Sequence, residues 1–120
     1  MKLLRYGEVG SERPGLLDAD GTIRDLSAHV VDIAGTALHP ASLDMLSKLD
    51  PKSLPAVSGS PRIGACVAGT GQFICIGLNY SDQAAETRAT VPPEPIIFMK
   101  ASSAIAGPDH DVLLPRGSVT

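Results

Sequence analysis

The stretch that decides the reading is Phe73–Glu86, FICIGLNYSDQAAE, followed after a proline-rich run by Glu94–Ala101, EPIIFMKA. A short apolar run closed by a turn signal reads as a strand, so Phe73–Leu78 is expected to be one. Asn79-Tyr80 is then a sharp polar turn, and Ser81–Thr87 opens a short helix. Val91-Pro-Pro-Glu-Pro95 cannot continue that helix, because proline lacks the amide hydrogen and fixes its φ. It reads as an extended loop into a second strand, Ile96–Lys100. In this order Asn79, Tyr80, Asp82, Gln83, Glu86 and Lys100 all fall at strand ends, where α/β proteins place their chemistry. The arrangement is expected to gather them around one site.

Working outward, 120 residues suit one compact domain, or a small domain plus part of another. Hydrophobic residues make up 43% and aromatics only 3%, so the core has to be built from Val, Ile, Leu and Ala. Ten basic against 13 acidic residues give a net charge of −3 without clustering. With no basic stripe and no interleaved aromatics, nucleic acid is not an expected partner. No apolar run approaches the roughly 20 residues of a membrane span. Nor does the start, MKLLRYGEVG, hold the apolar stretch of a secretory signal. No membrane partner and a cytoplasmic location are the expectation. Cys66 and Cys75 lie in apolar runs without a C-x-x-C spacing, and read as buried, reduced thiols.

Residues 2–6 read as a strand, and Gly15–Ser27 as a hairpin turning on Asp20-Gly21, where glycine accepts positive φ. Pro40–Leu49 is expected to be helical, with Leu43, Leu46 and Leu49 at three-residue spacing, and Pro51 and Pro55 stop it. Ser58-Gly-Ser-Pro61 reads as a linker, placing a boundary between a domain 1–60 and a domain 61–120. Beyond it, Arg62–Val67 and Val112–Leu114 are expected as further strands.

On the helix after Tyr80, Gln83 and Glu86 are three apart and Asp82 and Glu86 four apart, so all three share a face. The like charges oppose one another by about 0.2–0.5 kcal/mol. Asp82 is partly relieved by the helix N-terminus; Glu86 lies too far along to gain much. By spacing alone this is an ordinary solvated face. His29 and His39 read as surface or structural residues, and Ser58 and Ser60 lack a partner base. Asp109, His110 and Asp111 alternate sides on an extended chain and do not read as a metal site.

The run G-x-N-Y-x-D-x-x-x-E at Gly77–Glu86, followed by E-P-x-x-F-x-K at Glu94–Lys100, resembles the start of the catalytic domain of the fumarylacetoacetate hydrolase family. It is most similar to bacterial members usually labelled ureidoglycolate lyase or 2,4-diketo-3-deoxy-L-fuconate hydrolase. The likeness is dense over Pro61–Ser118, and Met1–Ser60 resembles the small domain that precedes it. The resemblance implies an α+β, mainly β fold. A small N-terminal αβ domain precedes the first strands of a mixed β-sheet domain, truncated at this length. It also implies Mg- or Mn-dependent cleavage of carbon–carbon bonds in 2-oxo or 2,4-dioxo acids through a metal-stabilised enolate, in a homodimer. By the same resemblance Glu86 matches the glutamate that orients a catalytic histidine. Asn79 and Tyr80 match the turn that shapes the pocket, and Lys100 a basic residue near substrate.

Two departures qualify this. The family's dyad histidine, in H-x-x-E, is Gln83, whose amide holds hydrogen bonds but has no proton to exchange near neutral pH. The family's metal ligands, Glu-x-Glu and a later Asp, follow the segment matched by Pro115–Ser118, so no metal or cofactor is expected on this chain alone. The expectation is therefore an N-terminal portion of a metal-dependent hydrolase or lyase, inactive by itself. The alternative is a non-catalytic relative acting as a small binding or dimerisation module, which Gln83 favours.

Overall fold

Leu3–Tyr6 (β1), Arg13–Leu17 (β2) and Ile23–Asp25 (β3) form an antiparallel sheet in the order β1-β2-β3, with Leu3 opposite Leu16 and Leu17 opposite Ile23. The β2–β3 turn is built as its sequence predicts. Gly21, at φ 85°, donates to the Asp18 carbonyl, and the Asp18 amide donates to Thr22. Gly15 in the central strand is packed so closely that a Cβ there would stand only 2.9 Å from the side chains of Leu4 and Tyr6.

The computed structural model describes residues 1–118. The sheet belongs to a first unit, Met1–Gly69 with the described residues from Ala106 onward; Thr70–Ile105 forms a second. The first unit's core is a leucine cluster, Leu16, Leu26, Leu46 and Leu54, with Leu3, Val30 and Leu49 packed against it. Pro40–Ser47 forms helix α1, which delivers Leu46 to that cluster, its proline sitting in the first turn where no amide hydrogen is needed. Tyr6 is buried too, so the core is not purely aliphatic. Among the described residues no valine is buried.

In the second unit, Phe73–Gly77 (β4) pairs antiparallel with Ile96–Lys100 (β5), and Ser81–Glu86 forms helix α2 between them. Ala84 is its buried residue. One face of this ribbon carries the cross-strand pairs Ile74–Met99 and Ile76–Ile97, all four exposed.

Three expectations are corrected. Arg62–Val67 is not a strand. It makes one bridge, Tyr6 with Ile63, before Gly7 (φ 115°) turns the β1 chain away and the segment bends toward Gly69 (φ 64°). Val112–Leu114 forms no strand and pairs with none among the described residues, and all three side chains are exposed. Cys66 sits exposed in the bend and Cys75 is half-buried, so neither is the buried thiol expected. Among the described residues the chain is mixed α and β, with its strands paired antiparallel.

Candidate functional site

β4 ends at Gly77, and the next residue, Leu78, takes φ 48°, a left-handed conformation that costs an L-residue roughly 1–2 kcal/mol. That reversal lets Asn79 and Tyr80 form the corner into α2, with Tyr80 extended at the helix N-cap. Residues held in such sparsely populated backbone regions cluster at functional sites. Leu78 and Asn79 line a cleft of about 290 Å³ with Ile76, Gly77 and the segment Val91–Pro95.

Within α2, the Asp82 carboxylate accepts from the Gln83 backbone N–H at 2.8 Å. The Gln83 carbonyl in turn accepts from the amide of Thr87 and, at 2.9 Å, from its hydroxyl. Gln83 and Glu86 lie one turn apart on the helix and are exposed. Among the described residues no hydrogen bond or ion pair engages the Gln83 side-chain amide, the Glu86 carboxylate, the Tyr80 hydroxyl or the Lys100 ammonium. These groups are free to meet solvent or a ligand.

The sites named from sequence are not all brought together. Asn79, Tyr80, Gln83 and Glu86 follow the Gly77 end of the ribbon. Lys100 pairs with Phe73 at the other end, because antiparallel strands put their two C-terminal ends at opposite ends of a ribbon.

The first unit holds a second polar cluster that local sequence spacing does not announce. Arg5 grips Asp32 through two hydrogen bonds of 2.7 and 3.0 Å and lies 3.5 Å from Glu12. Arg62 donates to Glu12 at 3.0 Å, to the Gly7 carbonyl at 3.2 Å and to His110 Nε2 at 3.2 Å. The bonds to Asp32 and the charges of Asp32 and Glu12 raise Arg5 against the opposing effect of burial. Burial alone would raise the Asp32 carboxyl, but the Arg5 bonds and the Ile33 amide outweigh it and hold it below the usual range. Glu12 is lowered chiefly by its bond from Arg62. Beside this cluster a cleft of about 600 Å³ is lined by Val9, Ser60–Ile63, Asp109–Asp111 and Leu113. The partners lie 27 and 50 residues apart, so no periodicity could have flagged them.

Among the described residues no group of three or more His, Cys, Asp or Glu side chains converges as a metal ion needs. Asp109, His110 and Asp111 are not brought together in such a group. Among the described residues, too, no helix is long and apolar enough to cross a membrane.

Residues 72–120 match the sequence model described as fumarylacetoacetate (FAA) hydrolase C-terminal. The fumarylacetoacetate hydrolase resemblance holds. Over 99% of its length the chain is 60% identical to a "Putative hydrolase" of Burkholderia multivorans and 59% identical to one of Burkholderia cenocepacia. Its fold is similar to the crystal structure of a "putative HpcE protein" from Mycobacterium smegmatis, with a TM-score of 0.60 and 30% identity over 98% of this chain. The chain spans 42% of the length of each of these proteins. The fumarylacetoacetate hydrolase match covers β4, α2 and β5, the elements that carry Asn79, Tyr80, Gln83, Glu86 and Lys100.

Proposed function

We propose that the chain is the β4–α2–β5 portion, with its preceding domain, of a hydrolase or lyase that cleaves carbon–carbon bonds in small 2-oxo or 2,4-dioxo acids. A division at residues 60 and 61, a homodimer and a cytoplasmic setting belong to the same reading. The observation that supports it most is α2 itself. It starts directly after the left-handed Leu78 turn, lies in the family match, and presents Gln83 and Glu86 one turn apart with free polar ends.

Glu86 can accept a proton from a water molecule or a substrate carbon. The Gln83 amide can hold a substrate oxygen or that water by hydrogen bonds, but cannot relay the proton. Asn79 borders the cleft and would orient an acid's oxygen atoms. Mg or Mn, when bound in the complete family enzyme, would stabilise enolate charge. The described residues do not supply its ligand set, so we assign those ligands to no residue of this chain.

A second reading, a non-catalytic binding or dimerisation module, is favoured by the exposed Ile74, Ile76, Ile97 and Met99 face and by Gln83. The two are separated by joining this chain to the remaining length of the Burkholderia multivorans relative and assaying acylpyruvate cleavage with Mg. Turnover that falls in Glu86→Gln supports the enzyme. A folded, dimeric fusion without turnover in any form supports the module.

A further inference from the structure

We propose that His110 is a pH-sensitive latch that holds residues 106–113 on the first unit, forming one wall of the 600 Å³ cleft. Two observations define the latch. Gly107 passes so close to Ile63 and Gly64 that a Cβ would stand 2.3 Å from the Ile63 carbonyl oxygen. Among residues 106–117, the hydrogen bond that crosses to the rest of the unit joins Arg62 Nη2 to His110 Nε2 at 3.2 Å. The backbone bond from the His110 amide to the Gly107 carbonyl is local.

A guanidinium has five donors and no acceptor. The contact therefore requires an unprotonated Nε2, that is, a neutral imidazole carrying its proton on Nδ1. Once protonated, the ring offers two donors and a positive charge, and the bond to Arg62 has no acceptor left. The charged groups around it come from both sides: Asp109 and Asp111 on its own segment, Arg62 across the contact, and behind Arg62 the Glu12, Arg5 and Asp32 ion pairs. Val9, Ser60, Pro61 and Ile63 bring no charge to the cleft wall. The proton removes the side-chain bond that ties His110 to Arg62, while the close Gly107 approach remains. Imidazoles titrate in the range where a cell changes pH, which makes access to the cleft pH-dependent.

The test is an amide NMR titration of the full 120-residue chain from pH 8 to pH 5, kept dilute enough to avoid self-association. Amides of Arg62, Ile63 and Gly64 should move together with those of Asp109–Leu113 in one transition that follows the His110 ring. In His110→Gln, whose amide oxygen accepts from Arg62 at every pH, Arg62–Gly64 should stay at their pH 8 positions. Hydrogen exchange of residues 106–113, corrected for its intrinsic pH dependence, should accelerate about 10-fold or more between pH 7.5 and 5.5 in the unmutated chain only. The proposal is overturned if Arg62–Gly64 do not respond, if they titrate equally in His110→Gln, or if exchange accelerates alike in both proteins.

Discussion

Lys100 lies directly across the ribbon from Phe73, at the end opposite Gly77 and the Asn79 turn. Four residue steps at about 3.4 Å put roughly 14 Å between the two ends. A lysine side chain does not span that distance, so Asn79 and Lys100 do not share one contact within this unit.

Their contributions are therefore expected to be independent. In a fusion with the rest of the Burkholderia multivorans relative, the effects of Asn79→Ala and Lys100→Met on kcat/KM should add within about 0.5 kcal/mol, as they do for separated sites. A double-mutant coupling above about 1 kcal/mol would show that another part of the protein brings the two to one ligand.

The ribbon's apolar face governs behaviour in solution. Ile97 and Met99 are 67% and 62% exposed, and Ile74 and Ile76 accompany them. Apolar patches and open strand edges of this kind drive association. Sedimentation of the 120-residue chain should show concentration-dependent oligomers that Ile97→Lys with Met99→Lys abolishes. A stable monomer of the unmutated chain across the concentration range would contradict this.

Helix α2 ends in a glycine-type cap made with arginine. The Ala89 amide donates to Ala84 O at 2.8 Å and the Arg88 amide to Ala85 O at 3.1 Å, with Arg88 at φ 54°. That left-handed position favours glycine. Arg88→Gly should stabilise the helix end by about 1 kcal/mol, read as slower exchange of the Ala89 amide. Faster exchange would mean that the arginine side chain holds the turn by a contact of its own.

The ion cluster of the first unit is expected to contribute to its acid stability. Asp32 and Glu12 have carboxyl groups lowered by folding. A lowered folded-state value means stability is present above the unfolded carboxylate range, near pH 4, and is lost as pH falls through the folded values. Thermal melts should weaken steadily below about pH 5, and Asp32→Asn should flatten that dependence while costing about 2 kcal/mol at pH 7. An unchanged acid profile in Asp32→Asn would remove this pair from the account.

How much of this could be read in the sequence differs by element. The Asp18–Gly21 hairpin, α1 and the β4–α2–β5 run were legible because each rests on local rules: turn chemistry, proline placement, apolar runs. Arg62–Val67 failed as a strand because pairing depends on where β1 turns away at Gly7, which its own residues do not record. Cys66 was misplaced for the same reason, lying in a bend rather than a ladder. In the site, the shared face of Gln83 and Glu86 followed from helix geometry. The distance from Asn79 to Lys100 depended on strand direction, and the Arg5–Asp32 and Arg62–Glu12 pairs on tertiary packing.

On the proposed function, α2 would be the catalytic helix of a fumarylacetoacetate hydrolase-type enzyme, with Gln83 where the family's dyad histidine stands. The most direct measurement is Mg-stimulated acylpyruvate cleavage by the fusion with the Burkholderia multivorans remainder, as it stands and as Gln83→His and Gln83→Ala. Supplying a positioned general base should raise kcat about 100-fold or more in Gln83→His, with KM little changed, and the chain without the remainder should show none. If the unmutated fusion is the fastest of the three, or if the 120-residue chain alone turns over with Mg, the account is contradicted.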